Sequence, residues 1–230
     1  MLEDLGLVLS GLGSSLDASF HRDTFIEAAE TFLALALGYK SGLRGVDLHF
    51  ASPNDLATMV LAQEARGLRP ACRRVPYLSK VVATEPTLGS QVVGLYVPPR
   101  GCYAIDRLVP GLSCSLPRVQ NVTLVHEAGH ALIARERMRL DMGSLRDEEQ
   151  AEADRLCDDL ADLFDRYTFG QVEHQPSNAV TRAGMQARFR ELTRPITSDR
   201  SLTPRGYGRP CRWVADQARA ERYAATQSHI

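Results

Sequence analysis

The sequence predicts an α+β fold: a small mixed or antiparallel sheet packed on one buried helix, with additional helices at both ends. Three observations carry that expectation. Residues 122–134, Val-Thr-Leu-Val-His-Glu-Ala-Gly-His-Ala-Leu-Ile-Ala, are apolar or small at nearly every turn of a helix, as in a buried helix. Two β-rich runs, Gln91 to Val97 and Cys102 to Ile105, are split by Pro98-Pro99-Arg100-Gly101, the pattern of a hairpin. Apolar stripes at helical spacing lie both before and after these segments.

Taken in order, residues 1–16 are rich in Leu, Gly and Ser and carry no clear period. Asp17 to Lys40 reads as a helix with Phe25, Ala28, Ala29, Phe32, Leu33 and Ala36 on its core face. Gly45 to Phe50 alternates, with Val46, Leu48 and Phe50 on one side and Asp47 and His49 on the other, as in a half-buried strand. Ser52-Pro53 then opens a helix to about Arg66, with proline in the first turn, where its missing N–H costs nothing. A short strand is expected within 75–83, centred on Val81 and Val82. After the hairpin, 108–116 reads as a loop, and Ser115 and Pro117 start the apolar helix. Ser144 to Asp147 fits a capping box, followed by an acidic helix from Leu145 to about Tyr167. Its apolar face comprises Leu145, Ala153, Leu156, Leu160, Leu163 and Phe164, with Glu149 and Glu152 leaning toward it. Further helices are expected over 179–192 and 213–226, joined by a long loop over 195–210.

The apolar helix holds the chemistry. His126-Glu127-Ala128-Gly129-His130 is an H-E-x-x-H motif. Residues i and i+4 share one helical face, so both imidazoles can reach a single tetrahedral zinc ion while Glu127 stays beside it unligated. Two histidines alone do not hold a catalytic zinc; a third protein ligand is usual, with the fourth position left for water. The following acidic helix offers Glu149 and Glu152, and His174 is a further candidate. Tyr103, Tyr167, His174 and Arg182 are candidates to stabilise an oxyanion.

The order of the hairpin, Val122–Ile133 and then Glu152-Ala153-Asp154 with Leu156 and Leu160 resembles the ImmA/IrrE family of zinc metallopeptidases, a gluzincin-like group. The resemblance covers about residues 45–165. It implies a zincin-like fold, His126, His130 and Glu152 as zinc ligands and Glu127 as general base. It also implies hydrolysis of a peptide bond in a specific protein, regulatory proteins among the candidates. The alternative is a metal-dependent hydrolase, or another enzyme, that uses the same motif on a non-peptide substrate. An extended protein or peptide substrate is expected to pair with Cys102, Tyr103, Ala104 and Ile105, read as an exposed edge strand next to the metal helix.

Composition narrows the setting. A net charge of −1 gives no general affinity for nucleic acid. Lys40 and Lys80 are the only lysines among 27 basic residues, the mark of a GC-rich, bacterial coding sequence. Five cysteines with no C-x-x-C pair read as free thiols in a reducing cytoplasm. The acidic start lacks the basic end of a secretory signal, and the apolar run Phe32 to Leu37 is far too short to span a membrane. The expected organisation is an N-terminal helical extension (1–40), a catalytic domain (41–170) and an Arg-rich C-terminal accessory segment packed on the core (171–230).

Overall fold

A computed structural model describes residues 9, 12–39, 43, 45–76, 90–108, 112, 114–170 and 181–194. The expected strand at Val81 and Val82, the loop over 195–210, the helix over 213–226 and His174 lie outside these residues.

The described residues form five strands and, besides a short N-terminal helical stretch, five helices, the mixture that the α+β expectation requires. They are α1 (Arg22–Leu37), β1 (Leu48–Ala51), α2 (Pro53–Glu64), β2 (Arg74–Pro76), β3 (Ser90–Val92), β4 (Gly94–Val97), β5 (Gly101–Ile105), α3 (Leu116–Arg139), α4 (Asp147–Phe169) and α5 (Arg182–Leu192). A helical stretch at 12–18 precedes α1, and the helix is interrupted between them at residues 19–21. One helix from Asp17 was expected; instead Phe20 turns out of the helical path to pack on Phe25 and Phe50, at centroid distances of 5.6 and 4.8 Å.

The sheet is mixed. Its order is β1-β5-β4, with β1 parallel and β4 antiparallel to β5. β2 and β3 form a second, antiparallel pair. The hairpin between β4 and β5 turns through a cis Pro98–Pro99 bond. The sequence pattern placed Phe50 on the buried side of β1, yet it is 41% exposed. It covers Phe20 rather than the core.

Helix starts follow their caps. Ser52 accepts from Asp55 N–H at 3.1 Å at the start of α2, and Ser115 accepts from Arg118 N–H at 3.2 Å at the start of α3. Each is followed by proline in the first turn. At the start of α4, Glu149 reaches back to accept from Arg146 N–H at 2.8 Å, so its carboxylate is spent on the cap.

α3 is the axis of the molecule. Val122, Leu124, Val125, Ala128, Ala131, Leu132 and Ile133 are all buried on it. α4 lies alongside and contributes Ala153, Leu156, Cys157, Leu160, Ala161 and Phe164 to the same core. That core also takes Phe25, Phe32 and Leu33 of α1 and Met185, Phe189 and Leu192 of α5. A smaller cluster, Leu56, Val60, Val92, Val93, Leu95, Ile105 and Val119, ties α2 to the sheet.

Gly129 sets how closely the two long helices pack. A Cβ there would stand 2.8 Å from Cys157 Sγ, inside any real contact distance. The small residue in the middle of the histidine motif therefore lets α4 bring its own side chains within reach of the two imidazoles.

Candidate functional site

The site is built on the third and fourth turns of α3. His126, Glu127 and His130 are 1%, 0% and 3% exposed. Their i, i+4 spacing brings the two rings together, with His126 Nε2 and His130 Nε2 3.3 Å apart. Two nitrogens bound at about 2.0–2.1 Å to one tetrahedral zinc lie about 3.3–3.4 Å apart. The pair therefore already has the separation that one zinc ion requires.

Glu127 sits beside the pair. Its Oε1 accepts from the backbone N–H of Arg73 at 3.1 Å, while its buried Oε2 has no hydrogen-bond partner among the described residues. A carboxylate oxygen buried without a donor is costly unless something is meant to meet it there. Burial pushes the Glu127 carboxyl well above the usual range. Room for it comes from Gly94 of β4, where a Cβ would lie 2.5 Å from Glu127 Oε1 and 2.3 Å from Thr123 Cγ2.

Burial and the neighbouring His126 push His130 well below the ordinary histidine range. Burial also lowers His126, against the pull of the Asp158 carboxylate. Both rings are thus held neutral, the state in which an imidazole nitrogen can ligate a metal.

The carboxylates that the fold brings to the pair come from α4, and they are aspartates. Asp158 Oδ1 lies 3.0 Å from His126 Nδ1, close but short of an aligned hydrogen bond. Asp154 Oδ1 lies 3.6 Å from His130 Nε2 and accepts from Gln150 Nε2 at 2.8 Å. Spaced i, i+4 like the histidines, Asp154 and Asp158 face them along the helix–helix seam. The same row continues to Asp162, 3.7 Å from Arg73, and Asp165, which takes Arg118 in a two-pronged pair at 2.7 and 2.8 Å.

Glu152, the expected third ligand, is not brought to the histidines. It sits on the opposite flank of α4, paired with Arg155 at 2.5 Å and with Arg188 of α5. Glu149 is engaged in the helix cap and by Arg137, 3.5 Å away. Sequence reasoning missed the aspartates because it left Cys157 and Ala161 off the apolar face. Both are fully buried, and they widen that face toward the flank that carries Asp154 and Asp158. Among the described residues no three His, Cys, Asp or Glu side chains are gathered as a complete metal cage. Asp154 Oδ2 is instead 3.5 Å from Arg69.

The expected substrate strand is corrected by the sheet. Cys102, Tyr103, Ala104 and Ile105 of β5 pair with β1 on one side and β4 on the other, so no peptide can add to them. Cys102, Ala104 and Ile105 are fully buried, and half-buried Tyr103 stacks on His49 with ring centroids 4.7 Å apart. The sequence pattern identified the strand but could not show that β1 would return beside it. Tyr167 packs against the main core, and Arg182 opens α5.

No described helix is long and apolar enough to cross a membrane. Comparison with known proteins finds no family model, no curated relative and no solved structure that matches the chain.

Proposed function

We propose that this chain is a zinc-dependent metallopeptidase that hydrolyses a peptide bond in a specific protein, with Glu127 as general base. The observation that carries the reading is the His126–His130 pair, 3.3 Å apart at Nε2, beside the buried, half-unpartnered carboxylate of Glu127. A purely structural helix has no use for a buried carboxylate in that position.

In this reading His126 and His130 hold the ion, and Asp154 is the third protein ligand in place of Glu152, because it is the carboxylate beside His130. Zinc held there would supply Lewis acidity toward a carbonyl and toward water. Asp158 orients the His126 ring through Nδ1, leaving Nε2 as a lone pair. Glu127 takes up a proton from water at its carboxylate and hands it to the leaving amine. Its raised affinity for protons, a consequence of burial, suits the second half of that task. The apolar walls of α3 and α4 keep bulk water away from His126, Glu127 and His130.

One observation favours a second reading, a metal-dependent hydrolase acting on a small non-peptide substrate. β5 is interior, and the outer edge of β4 is covered by the chain's own residues 71–73, so among the described residues neither strand offers the site a free edge.

The deciding experiment incubates a bacterial lysate with zinc-loaded wild type or Glu127→Gln and profiles new protein N-termini. New termini that appear only with wild type support the peptidase. None appearing, while a panel of small ester and amide substrates is hydrolysed, moves the reading to the second.

A further inference from the structure

The chain's own segment 69–73 lies across the candidate site like a bound peptide. It runs antiparallel to β4 along the edge that β5 leaves free. Tyr96 N–H donates to Ala71 C=O at 2.9 Å, Val93 N–H to Arg73 C=O at 3.0 Å, and Arg73 N–H to Gly94 C=O at 3.2 Å. The same Arg73 N–H reaches Glu127 Oε1 at 3.1 Å, so the segment touches the proposed base directly. Two of its side chains point to the acidic row of α4. Arg69 meets Asp154 Oδ2 at 3.5 Å and the Asp147 C=O at 3.3 Å, and Arg73 meets Asp162 at 3.7 Å.

We propose that residues 69–73 are an internal occupant of the peptide-binding edge, and that the substrate is an extended segment carrying two basic residues four positions apart, which takes this edge when the occupant leaves. The inference rests on the peptidase reading for the purpose of the groove. Each contact the segment makes is one that a second peptide could make equally well. Backbone pairing to an antiparallel edge is independent of sequence, and it leaves the side chains to set specificity. Asp154, through the Oδ2 that lies by Arg69 while its Oδ1 lies beside His130, and Asp162 set it here, and both call for a cation. The ion pairs that hold the segment down have an exposed member each, Arg69 at 48% and Asp162 at 55%, so they exchange readily. With Arg69 on Asp154 and the Arg73 amide on Glu127, two groups assigned to the chemistry are engaged by the occupant. The resting state is therefore closed, and apparent affinity for any substrate is reduced by the fraction of molecules that are open.

The test uses the full chain and a fluorescein-labelled synthetic peptide with the sequence of residues 67–76, Gly-Leu-Arg-Pro-Ala-Cys-Arg-Arg-Val-Pro. A control peptide carries Glu at the positions of Arg69 and Arg73. Wild type is compared with R69A/R73A, and with Asp162→Asn as a second variant that loosens the segment from its partner's side. Hydrogen exchange by NMR is read at Tyr96 N–H, which faces the segment, against Ile105 N–H, which donates to Val93 C=O inside the sheet. The expected result is exchange at Tyr96 at least about tenfold faster in the variants, with Ile105 unchanged. Peptide binding to R69A/R73A should tighten by at least about tenfold over wild type, Asp162→Asn, which lacks a recognition carboxylate, should not show that gain, and the Glu control should not bind. A Tyr96 amide as protected as in wild type, or an opened R69A/R73A that takes up no peptide, overturns the proposal. So does equal binding of the basic and acidic peptides. Zinc analysis of the same samples separates the two readings. Zinc bound without peptide uptake sinks the internal occupant alone, and peptide uptake by a protein that takes no zinc sinks the metal reading alone.

Discussion

Glu127 is the residue on which the proposed chemistry turns, and its surroundings are specific. One oxygen is held by a backbone amide and the other is buried with no donor among the described residues. Glu127→Gln should keep the fold and the metal but lower hydrolysis by about 10²–10⁴, the usual contribution of a positioned base. Steady-state rates at equal zinc content check this; a rate near wild type would remove Glu127 from the mechanism. Among the proposed ligands, Asp154→Ala should weaken zinc affinity far more than Glu152→Ala. Asp158→Ala should cost about 10–100-fold, as for a residue that acts through a ligand. Competition with a chromogenic chelator measures all three, and a larger loss for Glu152→Ala would restore the ligand implied by the family resemblance. The motif itself was legible because i, i+4 spacing is a local property of one helix. The third carboxylate was not, because the rotation of α4 is fixed by what packs against it. Fully buried Cys157 and Ala161 turn Asp154 and Asp158 toward the histidines of α3 and leave Glu152 to Arg155 and Arg188.

At the scale of elements, the seam between α3 and α4 and the sheet beneath it position these residues. Gly129→Ala would press a methyl group into Cys157 Sγ, and the overpacking should cost about 1–3 kcal/mol. Thermal unfolding measures it, and pairing the change with Cys157→Ala should recover most of the loss. No recovery would mean the two helices do not meet there. A second tie joins the end of α1 to α3, where Glu136 accepts from Tyr39 and from Arg139. Arg139 beside it holds the Glu136 carboxyl below its ordinary range. A carboxyl depressed in the folded state contributes stability that is full above its unfolded pKa, about 4.3, and is lost as pH falls through the lower folded value. Glu136→Gln should therefore flatten the acid limb of the stability curve, which denaturant titrations at pH 7 and pH 4 would read. An unchanged limb would contradict it. The helices were legible from caps and stripes. The pairing of β5 was not, because whether a strand is edge or interior depends on where β1, fifty residues earlier, returns.

The described residues share one principal core, with a smaller cluster between α2 and the sheet. α1 and α5 both insert large side chains into the α3–α4 seam, as in the edge-on contact of Phe32 with Phe164 at 5.3 Å. Arg137 of α3 also donates to the Leu192 C=O at 2.6 Å, and Arg188 bridges to Glu152 and Asp159. Ending the chain at Gly170 should therefore destabilise it, at about 1.5–3 kcal/mol for each of the lost anchors Met185, Phe189 and Leu192. A truncated chain as stable as the full one in urea would show these contacts to be dispensable. The Arg-rich composition beyond Gly170 drew attention in the sequence, yet the described part of that segment acts by packing apolar side chains and by pairing Arg188 with acids of α4. In the proposed function, this core holds one zinc ion between His126 and His130. Elemental analysis of purified protein after zinc addition and removal of excess tests this most directly. About one zinc per chain is expected for wild type and none for His126→Ala or His130→Ala. A folded wild-type chain that retains no zinc would contradict it.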